Sequence, residues 1–267
     1  MISSTAQLAD QIPRPSIAEA RAMGLAEWAA MRALLTDLTD ADWSRPTPCT
    51  GWTVHMLVRH VVATYAEGSR PWQIARRIRR GRRDYPQLNA LDGRNACQVE
   101  DLAGLSSAEL IAEHARLGPR GVRTLSRLPA PLRRLKLSGG FDDVPPQPED
   151  SLDFLVRVLA TRDAWMHRID VADAVGREPE PTDHDAAVVA QVVHDVASGW
   201  PGPAVVLTLT GPAGGSWIIG DGAPSGTVTS DAIDYMRHVS GRQANQSPTT
   251  EGDPAVTDQF VALRISF

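Results

Sequence analysis

Near residue 180 the apolar residues change their period, and that change limits the folds open to this chain. Before it, apolar side chains recur at three and four steps. Residues 16–38, "SIAEARAMGLAEWAAMRALLTDL", place Leu25, Trp28, Met31, Leu35 and Leu38 on one helical stripe. After it come short β-rich runs punctuated by glycine, "AVVLTLTG", "GSWIIGDG" and "SGTVTS". A single layer type does not accommodate both textures. The pattern predicts a helical domain followed by a mixed one.

The helical half divides at its breakers. "TDADWSRPTPCTGW" ends the first helix, because Pro46 and Pro48 exclude helix. A second helix is expected from Thr53 as N-cap, kinked around Gly68 to Pro71. A third helical region spans 87–128 with a break near "GLSS". A long loop covers "SGGFDDVPPQPED", and a fourth helix runs from about Ser151 to Val175, stopped by Gly176. Four helices with long connections predict a four-helix bundle over residues 1–178. The small α+β domain is expected over 183–267: a helix at 182–198, the β-rich runs, a helix capped by Asp231, and "FVALRISF" as a last strand. The fold class is therefore α plus α+β.

The chain has 267 residues and a net charge of −5, too acidic overall for a general nucleic-acid binder. Its two cysteines, Cys49 and Cys97, lie far apart and suit a reducing cytoplasm. No apolar run reaches membrane-span length, and "MISSTAQLADQIPRPSI" lacks a basic-then-apolar leader pattern. A cytoplasmic protein acting on a small molecule, as a monomer or homodimer, with no nucleic-acid or membrane partner, is the expectation.

The polar groups that could carry chemistry converge on "TRDAWMHRIDVAD", residues 161–173. Asp163 and His167 stand at i and i+4 and share a helical face. That spacing lets one helix give a metal two ligands. Zinc needs a third from elsewhere. His60 is the candidate, a histidine among Leu57, Val58, Val61 and Val62 in the second helix. The competing reading pairs Asp163 with Arg157, Arg162 or Arg168 and leaves both histidines structural. Asp170, three residues beyond His167, is placed to accept from a ligating imidazole, or to pair with Arg168 or Arg177. Arg94 and Asn95 are candidates to face the metal from an opposite wall, with Trp52 and Trp165 lining a pocket or filling the core. "RRIRRGRR", residues 76–83, reads as a solvated helix end, and Cys49 as a structural residue of the turn before the second helix.

Three segments resemble the mycothiol-dependent maleylpyruvate isomerase family. "PTPCTGWTVHMLVRHV" is similar to its Pro-x-x-Gly-Trp-x-Val…His segment, and "RDAWMHRIDVADAVGR" to its acidic-x-x-x-His-x-x-Asp helix. "LTLTGPAGGSWIIG…GTVTSDAIDYMRHVSGR" with "GDPAVTDQFVALRISF" resembles its C-terminal domain, which is like sterol carrier proteins. The resemblance implies a DinB-like metal-binding bundle with His60, Asp163 and His167 as ligands, Asp163 standing where the prototype has glutamate. It implies a divalent metal, zinc, and mycothiol as thiol cofactor, in an isomerisation or S-transfer on an electrophilic small molecule. Two other outcomes stay open within that resemblance: a metal-independent or non-catalytic small-molecule-binding or regulatory member, and a specialised biosynthetic or detoxification enzyme on the same scaffold.

Overall fold

The computed structural model describes residues 6–136, 151–265 and 267. The predicted loop at 138–150 lies outside the described residues. The chain divides into two compact units: residues 15–136 with 151–180, and residues 6–14 with 181–267.

The first unit is helical. Its elements are α1 (Ile17–Thr36), a 3-10 turn (Asp42–Ser44), α2 (Val54–Ser69), α3 (Trp72–Asp84), α4 (Ala90–Asp101), α5 (Ser107–Leu125), the short α6 (Ala130–Arg133) and α7 (Leu152–Phe154). A π-helical turn (Leu155–Leu159) then runs into α8 (Ala160–Ala174). Side chains start these helices. Ser16 and Ser106 each form a capping box, with Glu19 and Glu109, and Thr53 accepts from the Met56 amide. Gly176, at φ +70°, ends α8: its amide bonds the Asp173 carbonyl and that of Arg177 bonds Ala172, a Schellman close.

Helices α1, α5, α2 and α8 pack in a ring, each against the next. This is a four-helix bundle. Its core gathers Met31 and Leu35 of α1, Leu57, Val58, Val61 and Val62 of α2, Leu110 of α5 and Val171 of α8. The expected kink at 68–71 is a full break. Pro71 lacks the amide that would continue α2, and the chain restarts as α3. The third helical region likewise divides into α4 and α5. Helices α3 and α4 lie flat on each other, with Gly81 and Gly93 backbones in contact and no room for a Cβ on Gly81.

The second unit is a small α+β domain. Its strands are β1 (Gln7–Leu8), β2 (Val205–Thr210), β3 (Gly215–Ile219), β4 (Gly226–Asp231) and β5 (Thr249–Gly252), in the order β1-β3-β2-β4-β5. The pairs β1–β3 and β2–β4 are parallel, while β2–β3 and β4–β5 are antiparallel. Helices α9 (Asp185–Gly199), α10 (Ala232–Val239) and α11 (Pro254–Val261) complete it. Inward residues alternate along β2: Val205, Leu207 and Leu209 are buried. Asp231 caps α10, accepting from the Ile233 and Asp234 amides.

Two further features differ from expectation. The predicted boundary put residues 1–178 in the bundle, but residues 6–14 fall in the second unit, where Gln7 and Leu8 pair in parallel with Trp217 and Ile218. Two residues are too short a strand to show a period. The predicted last strand is absent among the described residues: its first two residues close α11 and those after them carry no strand. Asp253 caps that helix and Pro254 opens it, and this local start signal outweighs the β propensity of Phe260 and Val261.

Candidate metal centre

His60 lies in the middle of α2 because the residues around it belong to the core; Leu57, Val58, Val61 and Val62 are all buried. Asp163 and His167 lie in α8, one turn apart. The π-helical turn just before α8 adds a residue to the turn leading into them and so shifts the phase of the face they share.

The three side chains meet. Asp163 Oδ1 is 3.5 Å from His167 Nε2, and Asp163 Oδ2 is 3.8 Å from His60 Nε2. One donor atom from each lies within 4.8 Å of the others. The two imidazole rings stand nearly perpendicular, with centroids 5.0 Å apart. The two carboxylate–imidazole separations exceed the 2.7–3.2 Å of an N–H···O hydrogen bond. They are close to the roughly 3.4 Å between neighbouring ligands of a tetrahedral zinc with bonds of about 2.0–2.2 Å. The shorter aspartate side chain therefore brings its carboxylate to ligand spacing from both imidazoles. Two imidazoles and a carboxylate are a donor set suited to zinc and leave a fourth position for an external ligand.

Each histidine is also held from behind. His167 Nδ1 is 3.0 Å from Asp170 Oδ2, and the Cys49 thiol donates to the same oxygen at 3.4 Å. His60 Nδ1 is 2.7 Å from Gln98 Oε1. With both Nδ1 atoms engaged, both Nε2 atoms face Asp163 and the centre. This is the arrangement that orients metal-ligating histidines.

Electrostatics follow the same geometry. Burial drives the His60 imidazole below its ordinary pKa, which favours the neutral form that can ligate. Burial opposes charge on Asp163, but the His167 imidazole beside it outweighs that and holds the carboxyl well below the usual range. Burial also opposes charge on His167, where the Asp163 carboxylate prevails and raises the imidazole well above its ordinary value.

Two of the three arginines that could have claimed Asp163 have other carboxylates, and the third, Arg162, lies over the Phe154 ring. Arg168 Nε bonds Glu27 Oε1 at 3.0 Å, and Arg157 Nε bonds Asp153 Oδ2 at 2.5 Å. Trp52 lies against the site, its ring centroid 5.3 Å from that of His60. Trp165 is fully buried. Arg94 turns to the buried Glu67 carboxylate, and its Nη1 bonds Asn95 Oδ1 at 3.3 Å, so these contacts lie outside the metal-ligand set. Not all of "RRIRRGRR" is solvated: Arg77 bonds Glu67 and Asp101, and Arg80 bonds Asp101 and Glu100.

Three participants escape a reading of motifs: Gln98, Glu67 and Cys49. For Glu67 the signal was present, a carboxylate seven residues after His60 on the same helical face. For Gln98 it was fainter, one turn after Arg94 on α4. Cys49 precedes the helix and has no periodic relation to the site.

The chain is similar to known proteins in sequence and in fold. Residues 25–172 match the family described as mycothiol maleylpyruvate isomerase N-terminal domain. An uncharacterised protein of Mycobacterium tuberculosis, recorded from strains CDC 1551 / Oshkosh and H37Rv, is 26% identical over 246 residues, covering 87% of each chain. The crystal structure of the mycothiol-dependent maleylpyruvate isomerase superposes with a TM-score of 0.59 over 92% of this chain and 97% of that one, at 14% identity. A histidine-to-alanine mutant of that enzyme gives 0.57 with the same coverage. At that identity the superposition speaks for the fold. Among the described residues no helix is long and apolar enough to cross a membrane. The match over more than half the chain carries the assignment: the protein belongs to the mycothiol maleylpyruvate isomerase N-terminal domain family.

Proposed function

We propose that this protein is a metal-dependent enzyme that uses a low-molecular-weight thiol, mycothiol in the first instance, for isomerisation or S-transfer on an electrophilic small molecule. The observation behind it is the convergence of His60 Nε2, His167 Nε2 and the Asp163 carboxylate, with both imidazoles held at Nδ1. A divalent cation such as zinc bound there would lower the pKa of a thiol brought to its open position and so supply a nucleophile at neutral pH.

The chain's own residues do the rest. His60 offers a lone pair from a fixed ring, and His167 would do the same on releasing its proton as the cation binds, so little reorganisation of either ring accompanies binding. Asp163 supplies a negative charge that offsets part of the cation's. Trp52 gives the site an apolar wall, and the burial of both histidines limits water around a reactive sulfur. A thiol held there would supply a nucleophile for reversible addition to an activated cis carbon–carbon double bond, which would permit its conversion to trans, or for a lasting thioether, the S-transfer outcome. Neither cysteine of the chain needs to react.

The test is metal analysis of purified protein, joined to rate measurements with and without mycothiol. One metal per chain, lost in His167→Ala, is expected, together with a rate that depends on added thiol. Absence of stoichiometric metal, or wild-type activity in a His60→Ala/His167→Ala double variant, would overturn the metal reading. A rate unchanged without mycothiol would overturn the thiol reading.

A further inference from the structure

The polar chain behind His60 extends well past its first partner. Gln98 of α4 is completely buried, and its Oε1 lies 2.7 Å from His60 Nδ1. Its amide nitrogen donates to Glu67 Oε2 at 2.9 Å. The same oxygen receives Arg94, through Nε at 3.1 Å and through Nη2, while Arg77 Nη1 donates to the other carboxylate oxygen at 3.0 Å. Glu67 is itself buried, at 1% exposure.

A side-chain amide can sit either way round, and only its surroundings decide. Here a carboxylate facing two guanidinium groups offers lone pairs and no proton. The Gln98 nitrogen must point to it, because the reverse orientation would set two acceptors against each other in a buried site. The Gln98 oxygen must then face His60. That oxygen can only accept, so His60 carries its proton on Nδ1 and keeps its Nε2 lone pair toward Asp163 and His167. Were the amide reversed, its N–H would meet Nδ1, the imidazole proton would move to Nε2, and that proton would point at the centre.

We propose that Glu67, clamped by Arg77 and Arg94, sets the tautomer of His60 through the amide of Gln98, so that all four are positioning residues for the metal centre. This rests on reading His60, Asp163 and His167 as that centre. It gives Arg94 a role at one remove from the ligands, and it accounts for a buried carboxylate two turns from His60 that ligand chemistry leaves unexplained.

The experiment has two readouts. Imidazole nitrogen shifts of 15N-histidine-labelled, metal-free protein report the tautomer of His60 directly. Competition against a chromophoric chelator reports the Zn2+ affinity. The wild type is expected to show His60 protonated on Nδ1. Glu67→Gln, isosteric but uncharged, frees the amide of Gln98 to reverse; a mixed or Nε2-protonated signal and Zn2+ binding weakened about tenfold to hundredfold are expected. Gln98→Met, close in shape, removes the acceptor and should weaken binding similarly. The double variant Glu67→Gln/Gln98→Glu keeps the net charge and reverses the pair: the amide introduced on α2 donates to the carboxylate introduced on α4, which accepts from His60. It should restore the Nδ1 tautomer and bring affinity back within a few-fold. A merely structural cluster would show no such rescue.

An Nε2-protonated His60 in the wild type overturns the inference. So do Glu67→Gln and Gln98→Met variants that keep both tautomer and affinity, or a double variant no better than the singles. Failure of the wild type to bind Zn2+ while His60 is Nδ1-protonated would overturn the metal reading instead, and the tautomer measurement would still test the relay.

Discussion

His114 lets the acid limb of stability be worked out from one residue. It sits in α5 with no solvent exposure, stacked on Trp28 and edge-on to Tyr65. Neither ring nitrogen has a hydrogen-bond partner among the described residues. Burial, aided by the nearby Arg32 charge, lowers its pKa from 6.5 to about 4. In the unfolded chain an imidazole titrates near 6.5. Between those values the unfolded state binds a proton that the native state excludes, so folding stability falls as pH drops through that window. A difference of about 2.5 units, at about 1.4 kcal/mol each, comes to roughly 3 kcal/mol once the pH reaches 4. That is a large share of a total stability of about 5–15 kcal/mol. Urea unfolding of wild type and His114→Phe, in chelator to remove any contribution from bound metal, isolates the effect. Carboxylates lose stability in acid in both proteins and cancel in the comparison. The wild type is expected to lose about 2–3 kcal/mol more than the variant between pH 7 and about pH 4.5. His114→Leu should show the same flattening, which separates loss of the titrating group from the larger volume of phenylalanine. Parallel pH profiles for all three proteins would refute the argument, because they would mean that the site admits a protonated imidazole, or that water reaches its nitrogens.

Three shorter predictions concern the site and its frame. Asp170→Asn keeps an oxygen for His167 Nδ1 but loses its charge; Zn2+ affinity by chelator competition should fall about tenfold to hundredfold, and an unchanged affinity would remove Asp170 from the arrangement. Gly121 meets α2 so closely that a Cβ would sit 2.5 Å from the Tyr65 carbonyl oxygen. Gly121→Ala should therefore destabilise by about 1–3 kcal/mol in urea despite the better helix propensity of alanine, and a stabilised variant would show that the helices part freely. Ser16→Ala breaks the capping box of α1 and should cost about 1 kcal/mol, with Ser16→Asp recovering most of it; equal midpoints for all three would mean that the cap contributes nothing to global stability.

The parts of this protein that could be read from its sequence are those in which one residue type has one local job. Caps at Thr53 and Asp231 mark helix starts because a short polar side chain satisfies an amide there. Asp163 and His167 stand out as a pair because one helical turn sets their geometry, and His60 because an imidazole is costly among valines. Arg94 was harder to place. From the sequence it faces any opposite charge equally well, and only packing of α4 on α2 decides for Glu67. Gln98 carries no charge and fits many contexts, so its role exists only in three dimensions. The two-residue strand β1 and the helical ending at α11 escaped for a related reason: the first is all tertiary pairing, and the second hangs on a cap at Asp253 that outweighs the apolar texture after it.

The unlike partners of the two histidines also bear on the proposed chemistry. His167 is backed directly by a carboxylate, Asp170, and His60 by a neutral amide. Carboxylates behind both rings, with Asp163 between them, would put three negative groups around a dication. That surplus would work against ionising a thiol beside it, since a like charge disfavours a new anion. As built, Asp163 and Asp170 together match a charge of +2, and Glu67 is displaced by the length of one glutamine and met by Arg77 and Arg94. The sulfur's charge would then be the only surplus negative charge in the centre. On this argument Gln98→Glu alone should raise the pKa of a thiol bound at the site, even if it tightens metal binding. The pH dependence of the thiol-dependent rate should then move to higher pH in that variant, and a profile that stays in place would show that charge behind His60 does not reach the sulfur.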